Sequence, residues 1–492
     1  RQDYITFDNC VFKGYDNNSN SSNNSLIYTY SSDQYDGIVI KNCTFTDGNG
    51  YAIDLRNGST GGTGLEIINN TFTDTHGGIY AKYFDALTIR GNTIKGSDMY
   101  TFGLKLEYCD GANVVEDNSI YAPDMTYGIY LNYCQATSGS EATIVNNLIS
   151  VEGNGIYIDY YNYYQNVYYN SVNVRVGYAL YTSYGSSNNT LINNILLNES
   201  TSSVAAYFYN TSVFSNSDHN DFYTEYTYPI HYSGYKTLEQ WQAYGQDSSS
   251  VSIDPMFDSD STLAPASYIL DNKGTPIAGI TDDINGYTRS ETTPDMGAME
   301  FAVEGSVLAG SYTVGSGGDY DSISTALSDL SVYGISGPVT FNILSGTYDD
   351  PVMLGQVYGA SATNTITFQS ADANADSVVW VNTANSSASN YVLKLNGTDH
   401  ITLKNITFKN QGSSYSQKIV LTGVTDTVSI ENNTFLGYQG GNSSNHVSIY
   451  GNSADATGLK IKNNTFTDGG NYAIYLDSDN SCLLYTSDAA DE

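Results

Sequence analysis

Short segments of alternating apolar and polar residues recur along the chain, and each pair of segments is joined by two asparagines or a close variant. Examples are LEIINNTF, LTIRGNTI and ATIVNNLI, and much later ITLKNITF, VSIENNTF and LKIKNNTF. The second asparagine recurs at intervals of 22, 26, 29, 23 and 24 residues, at Asn70, Asn92, Asn118, Asn147, Asn170 and Asn194. A third segment follows each pair after a glycine, and its apolar residues keep the same period: Ile53, Ile79, Leu104, Ile129, Ile156 and Leu180.

A period of this length with three short strands and no helix cannot bury an apolar face within one repeat. Successive repeats must therefore stack as rungs about 4.8 Å apart. The repeats favour β-branched and aromatic residues and lack the Leu-x-x-Leu-x-Leu pattern and helical return of leucine-rich repeats. The pattern predicts an all-β solenoid, a parallel β-helix, in which the asparagine column forms a structural hydrogen-bonded ladder along the axis.

The chain carries two copies of this unit. Residues 40–55 match residues 461–476 at 12 of 16 positions. We therefore predict a first β-helix over 1–302, a linker over 303–309 and the N-terminal part of a second, truncated β-helix over 310–481. The apolar helical face of Ile323, Ala326, Leu327 and Leu330 is expected to cover the first rung of the second copy.

Both ends indicate a piece of a longer tandem-repeat chain. The sequence begins with Arg, inside a repeat motif. Residues 482–492, CLLYTSDAADE, resemble the conceptual translation of a transposase adapter used in sequencing libraries. We expect this tail to be non-native.

The repeats resemble the right-handed parallel β-helix, or pectin-lyase-like, superfamily over nearly the whole chain. Residues 252–301, with SIDPMF and TDDINGYTRSETTPDMGAMEF, resemble the closing segment of large secreted bacterial surface proteins. The resemblance implies a right-handed helix and a secreted or cell-surface location in bacteria. The resemblance implies no definite cofactor. Calcium binding stays an open alternative at the turn where Asn285 stands in place of a usual Asp. Arg289, Asp295 and Glu300 are expected to clamp the last rung closed.

The charge and composition of the chain exclude several classes of function. With 52 acidic and 18 basic side chains, the formal net charge is −34 at pH 7, which excludes nucleic-acid binding through a basic surface. No apolar stretch is long enough for a membrane span, and no zinc spacing or phosphate loop occurs. The composition suits an extracellular protein in a salty or calcium-containing medium.

Candidate binding residues lie on the strand after the glycine, because period-two alternation places two of its columns outward. Outward tyrosines with interleaved cations suit the rings and the charged groups of an acidic glycan. The predicted glycan-binding residues are Tyr80, Tyr130, Tyr157, Tyr181, Arg56, Lys82 and Lys105. One position further, a tyrosine ladder is expected to stack on the inward side or at the corner, at Tyr83, Tyr108, Tyr133, Tyr160 and Tyr184.

A catalytic function is the alternative. Glu107 and Asp159 lie two rungs apart in one column, about 9.6 Å by rung spacing, at the edge of the separation that inverting glycosidases use. Lys105 near Arg56 and Lys82 could instead serve a polysaccharide lyase. Catalytic signatures of polygalacturonases and pectate lyases are not found. The sequence favours a non-catalytic extracellular array that binds polysaccharide or mediates adhesion over a polysaccharide lyase or glycoside hydrolase.

Four cysteines form two like-on-like pairs. Cys109 and Cys134 hold the same register on adjacent rungs, and so do Cys10 and Cys43. Rung neighbours lie within disulfide range, although parallel Cβ vectors would strain the bridge. Stacked free thiols and disulfides both remain open, with free thiols favoured.

Overall fold

The structure is a computed structural model that describes residues 2–15, 24–30, 34–97, 99–383, 386–440, 443–452, 455–468 and 472–477. Over these residues the chain coils as a right-handed parallel β-solenoid with few helices, which confirms the predicted fold class. Contacts divide the chain into two compact units, Arg1–Val303 and Glu304–Glu492. The division into two tandem β-helices, the second of them truncated, stays a prediction. The tail at 482–492, with Cys482, lies outside the described residues.

Three long sheets run along the first unit, and each rung contributes one strand to each of them. The first sheet consists of Thr6–Asp8, Val39–Lys41, Glu66–Ile68, Thr88–Arg90, Val114–Glu116, Ala142–Val145, Gln165–Tyr168, Asn189–Ile192 and Phe214–Asp218. The second consists of Val11–Lys13, Thr44–Thr46, Thr71–Thr73, Thr93–Lys95, Ser119–Ala122, Leu148–Val151, Ser171–Val174, Ile195–Asn198 and Asp221–Thr224. The third consists of Ile27–Tyr28, Tyr51–Arg56, Gly77–Lys82, Phe102–Glu107, Tyr127–Asn132, Asn154–Ile158, Leu180–Thr182, Ala206–Tyr207, Ile230–His231 and Tyr235–Lys236.

All pairings in these three sheets are parallel except the last one, between Ile230–His231 and Tyr235–Lys236. Two small sheets pair Gln2–Asp3 with Tyr35–Asp36 and Gly62–Thr63 with Phe84–Asp85. The predicted inward column of the third sheet is in register from Ile53 to Leu180, and all six of its residues are fully buried.

The asparagine pair builds the corner between the first and second sheets. Its first residue, such as Asn69 or Asn146, has a φ of 55°, in the left-handed region that asparagine tolerates better than most residues. Its second residue points inward, and each amide Nδ2 donates to the Oδ1 of the next rung at 2.9 to 3.0 Å from Asn70 through Asn220. The ladder satisfies buried polar groups that the turn would otherwise leave unpaired.

A short helix and the closing segment finish the first unit. Helix Leu238–Gln242 has a capping box of Thr237 and Gln240. The buried Trp241 stacks on Phe208 with a centroid distance of 4.6 Å, and its Nε1 donates to Asp247 at 2.7 Å. This helix follows the last strand of the third sheet and packs Trp241 into the hydrophobic core of the first unit.

The clamp at residues 252–301 differs in place from the prediction. Arg289 donates to Glu300 at 3.0 Å and to Asn146 at 2.9 Å, and its guanidinium lies 3.9 Å from the ring centroid of Tyr169. Asn146 and Tyr169 belong to corners well before the last rung, so the segment lies along the side of the helix. At these corners the asparagine side-chain amides can accept hydrogen bonds, and a buried guanidinium needs such acceptors.

The second unit has the same three-sheet design. Its sheets consist of Leu308–Val314, Ile335–Ile343, Ile366–Ser370, Ile401–Lys404, Ser429–Glu431 and Lys460–Lys462; of Gly346–Asp349, Val378–Asn382, Thr407–Asn410, Thr434–Leu436 and Thr465–Thr467; and of Val352–Leu354, Leu393–Asn396, Ile419–Thr422, Ile449–Asn452 and Ile474–Asp477. Val424–Asp426 pairs with Asp455–Thr457, and two 3₁₀ turns lie at Ala375–Ser377 and Ser444–His446. Helix Ile323–Tyr333 buries the predicted face of Ile323, Ala326, Leu327 and Leu330 against the first rung.

No helix in the part of the chain that the structure describes is long and apolar enough to cross a membrane.

The described cysteines, Cys10, Cys43, Cys109 and Cys134, are free thiols. Burial raises the pKa of Cys109 well above its usual value, which makes its thiolate scarce and disulfide exchange slow. We expect iodoacetamide to alkylate all four after denaturation without reductant. Mass spectrometry of the peptides checks this, and an unmodified Cys109 and Cys134 pair with a mass lower by two hydrogens would contradict it.

Candidate functional site

The outer side of the third sheet carries the predicted glycan-binding residues. Hydrogen-bonded register places Asp54, Tyr80, Lys105, Tyr130, Tyr157, Tyr181, Tyr207 and His231 in one outward column. A second outward column follows from Arg56 through Lys82 and Glu107 to Asn132. Apolar residues at alternate positions of each strand fill the interior, so the residues of these two columns lie on the outer side.

The rings in the first column stack on one another along the axis. Centroid distances are 5.5 Å for Tyr130 and Tyr157, 4.3 Å for Tyr157 and Tyr181, and 4.8 Å for Tyr181 and Tyr207, with interplanar angles below 20°. Tyr207 stacks on His231 at 4.6 Å. Each ring inside this stack has an aromatic neighbour on both of its faces, so the ring edges and phenol hydroxyls are what it presents to a ligand.

A second aromatic column lies beside the first, and strict alternation along the strand did not predict it. Phe102 stacks on Tyr127 at 4.8 Å, and Tyr127 meets Tyr130 and Tyr157 edge to face at 5.4 and 5.1 Å. Tyr51 and Tyr178 continue the column, next to Tyr80 and Tyr181 respectively. We call the two columns together the aromatic face: Tyr80, Tyr130, Tyr157, Tyr181, Tyr207 and His231 with Tyr51, Phe102, Tyr127 and Tyr178.

A glycine explains why two successive residues face inward and shift the alternation. A Cβ on Gly128 would lie 2.4 Å from Ile149 Cγ2 and 2.8 Å from the carbonyl oxygen of Gly155. Gly128 therefore faces the interior, as does Ile129 after it, and Tyr127 before it is left outside. The signal in the sequence is an aromatic residue three positions before the residue of the first outward column, at Phe102 and Tyr127 as at Tyr51 and Tyr178.

The first predicted cation, Arg56, forms a bidentate ion pair. Its Nε and Nη2 donate to the two carboxylate oxygens of Asp54 at 2.8 and 2.9 Å. Asp54 is fully buried, and this burial raises its pKa although the neighbouring guanidinium opposes the shift. The guanidinium carbon lies 5.0 Å from the ring centroid of Tyr80 and 5.9 Å from that of Tyr28.

The two predicted lysines share one carboxylate. Lys82 Nζ lies 3.3 Å and Lys105 Nζ 3.1 Å from the carboxylate of Glu107, which also accepts the hydroxyl of Tyr80 at 2.5 Å. Burial alone would raise the pKa of Glu107, but the Tyr80 hydrogen bond and the two ammonium groups outweigh it and lower the pKa. Tyr80 is only 6% exposed, because these groups cover a side chain that the alternation predicts to be outward.

Asp159 forms a similar pair with Tyr130, whose hydroxyl donates to its carboxylate at 2.5 Å. Burial, and next the hydrogen bond to the carboxylate, raise the pKa of both Tyr80 and Tyr130. Both phenols therefore stay protonated at any physiological pH. Glu107 and Asp159, the predicted catalytic pair, lie two rungs apart, and each of them is bound to a phenol.

The predicted corner ladder is present in part. Tyr83 stacks on Tyr108 and Tyr108 on Tyr133, both at 4.9 Å. The next ring in the stack is Tyr161, at 5.3 Å from Tyr133, whereas the predicted Tyr160 lies at 6.4 Å, is tilted and is exposed. The reason is backbone conformation, since the stacked tyrosines occupy the left-handed position of the turn and Tyr161, with a φ of 54°, takes it on this rung. Tyr184 meets Tyr161 edge to face at 5.6 Å.

The turn around Asn285 is held by backbone hydrogen bonds. The Asp283 carboxylate accepts the N–H groups of Asn285, Tyr287 and Glu300 at 2.8 to 2.9 Å. These bonds suit an Asx-type turn. Among the described residues, no group of three or more His, Cys, Asp or Glu side chains is placed to hold a metal ion.

Comparison with known proteins identifies a family and similar solved structures. Residues 1–136 and 77–240 match the family described as "Right handed beta helix region". The chain is similar to two structures of the PL6 family alginate lyase AlyGC, one of them an arginine-to-alanine mutant. For the mutant the identity is 10% and the TM-score 0.22, with 95% of this chain and 77% of that chain covered. For the other structure the identity is 11% and the TM-score 0.19, with 94% and 77% covered. The search of curated proteins gave no match. The family match and the three stacked parallel sheets together identify residues 1–240 as a right-handed beta helix region.

Proposed function

We propose that this protein is a non-catalytic β-helix that works outside the bacterial cell, in the medium or on the cell surface, and binds glycan chains on its aromatic face. The observation that carries the proposal is the continuity of this face. Register keeps its first column aligned over seven successive strands, from Tyr80 to His231. A rung spacing of about 4.8 Å repeats similar contacts along the axis, which suits a long ligand with a short repeat.

The chemistry of the face supports binding through hydrogen bonds and ring edges. Phenol hydroxyls donate and accept, carboxylates accept, and the stacked rings add apolar surface between them. Each contact is weak, so affinity would come from several rungs acting together. Adhesion through surface glycans is the biological role that such a face favours.

The partners of the acidic residues favour binding over turnover. General acid and base catalysis requires a carboxyl group within reach of the substrate's proton. Glu107 is bound by Tyr80, Lys82 and Lys105, and Asp159 by Tyr130. A substrate would have to displace these partners before either carboxylate could act.

The proposal predicts that the double variant Tyr130→Ala, Tyr157→Ala loses glycan binding and keeps the fold. It removes two stacked rings from the middle of the face, while the buried Ile129, Leu131 and Ile156 remain. We expect affinity for a bound polysaccharide to fall roughly tenfold or more, because central aromatic residues dominate such interfaces. Retention on columns of immobilised polysaccharides measures this, and circular dichroism checks the fold.

The second unit offers a matched control. Tyr450 and Tyr475 stack at 5.5 Å and 12°, against 5.5 Å and 15° for Tyr130 and Tyr157. Replacing this pair by alanine should leave retention unchanged. Equal loss in both double variants, or none in either, would show that the aromatic face of the first unit is not the binding site.

A further inference from the structure

We infer that the aromatic face binds uncharged, hydroxyl-rich glycans and discriminates against acidic ones. The inference rests on the proposed function and names the ligand class of the same face. It departs from what the row of basic residues in the sequence predicts, namely pairing of Arg56, Lys82 and Lys105 with uronate or sulfate groups.

Arg56 already holds a carboxylate of the protein itself. Both carboxylate oxygens of Asp54 occupy one edge of its guanidinium, and the rings of Tyr28 and Tyr80 lie near it. Asp54 is fully buried on the same strand. A ligand that took Arg56 would leave this carboxylate buried and unpaired, which is strongly unfavourable.

Lys82 and Lys105 are engaged in the same way. Both ammonium groups contact Glu107, and Lys105 Nζ also lies 4.8 Å from the ring centroids of Tyr80 and Phe102 and 5.6 Å from that of Tyr130. The side chain of Lys105 is only 19% exposed. Its positive charge therefore interacts with a carboxylate and with aromatic rings of the protein itself.

The charges of the face cancel. Three cations, Arg56, Lys82 and Lys105, are matched by three carboxylates, Asp54, Glu107 and Asp159. The chain around them carries a formal net charge of −34. A polyanion therefore meets no positive patch here and is repelled by the protein as a whole. Sugar hydroxyls can form hydrogen bonds on this face, since carboxylate oxygens accept them and phenol hydroxyls accept or donate.

The test uses polymers that share one backbone and differ in charge. Hydroxyethyl cellulose is compared with carboxymethyl cellulose, and methyl-esterified polygalacturonate with polygalacturonate, by affinity electrophoresis of the full chain. We expect the uncharged member of at least one pair to retard the protein at least tenfold more strongly than the acidic member, with little change when salt is added. Stronger binding of the acidic members, or binding that salt abolishes, would overturn the inference and leave the proposed function standing. Retardation by none of the four polymers would remove the proposed function and the inference with it.

A charge variant tests the same point from the other side. Glu107→Gln releases Lys82 and Lys105 from their shared carboxylate and should raise affinity for the acidic polymers several-fold. The control is Glu116→Gln, which breaks an ion pair with Arg90 on the first sheet, away from the face. The inference is wrong if the two variants gain equally or if folded Glu107→Gln gains nothing. The wild-type comparison decides the matter if that variant does not fold.

Discussion

Replacing Asn147 by alanine should lower the free energy of unfolding of the first unit by about 3 to 5 kcal/mol, since buried groups left without partners cost about 1 to 3 kcal/mol each. The Nδ2 of Asn147 donates to the carbonyls of Val115 and Val145 and to Asn170 at 2.9 to 3.0 Å. Its Oδ1 accepts the backbone N–H and the Nδ2 of Asn118 at 3.1 and 3.0 Å. The variant removes all five bonds at a fully buried position. It leaves the backbone N–H of Asn118 without its acceptor, and the Asn118 Nδ2 keeps the carbonyl of Ile89.

Urea unfolding followed by tryptophan fluorescence measures this loss. The chain has two tryptophans, with Trp241 in the first unit and Trp380 in the second, so a Trp380→Phe background reports on the first unit alone. The control is Asn216→Ala, an exposed asparagine in the strand Phe214–Asp218, which should change stability by less than about 0.5 kcal/mol. If Asn147→Ala costs no more than the control, the ladder does not stabilise the helix.

Replacing Lys418 by methionine should raise the free energy of unfolding of the second unit by about 4 kcal/mol at pH 7. The side chain of Lys418 is fully buried, and its Nζ has no hydrogen-bond partner among the described residues. Burial lowers the pKa of this amine to about 7, although attraction to Asp468 opposes the shift. Each pKa unit corresponds to about 1.4 kcal/mol, and the pKa falls from 10.5 in the unfolded chain to about 7.

The free energy of unfolding of the wild type should rise with pH if the Lys418 amine is buried in this way. Between the folded pKa of about 7 and the unfolded value near 10.5, the unfolded chain binds more protons at Lys418 than the folded chain does. Raising the pH therefore stabilises the wild type, and its deficit relative to Lys418→Met should shrink from pH 7 to pH 10. Unfolding in a Trp241→Phe background reports on the second unit, and Lys462→Met, at an exposed lysine, is the control. A gap between wild type and Lys418→Met that stays constant with pH would show that the folded state keeps the amine charged.

Period and register were readable from the sequence because they depend on local, repeated constraints. Asparagine at the left-handed turn, apolar residues at alternate positions and the helical face of Ile323 and Leu330 each follow from one physical requirement. The inward column continues beyond Leu180 at Ala206 and Ile230, where the period holds but alanine replaces one of the larger apolar residues. Alanine marks an inward strand position only weakly, so the pattern did not predict Tyr207 and His231 on the aromatic face.

The state of the charged residues could not be read from strand alternation. Alternation places Arg56, Lys82 and Lys105 outside, but it does not say whether a cation faces solvent or a carboxylate on the neighbouring rung. Lys418 presents the same difficulty in the second unit. The backbone carbonyl of Lys418 accepts a hydrogen bond from the neighbouring rung, as that of Ala179 does in the first unit. The repeat pattern does not predict a lysine at such an inward position.

Binding without turnover is the central claim, and one measurement tests it most directly. The full chain is incubated with each uncharged polymer, the bound protein is sedimented or retarded, and new reducing ends and unsaturated sugar ends are counted in the same sample. Our account predicts that the protein is bound, that the Tyr130→Ala, Tyr157→Ala variant is not, and that neither kind of end increases with time. An increase in either kind of end with wild-type protein, abolished in that variant, would show that the aromatic face is an active site and contradict the account.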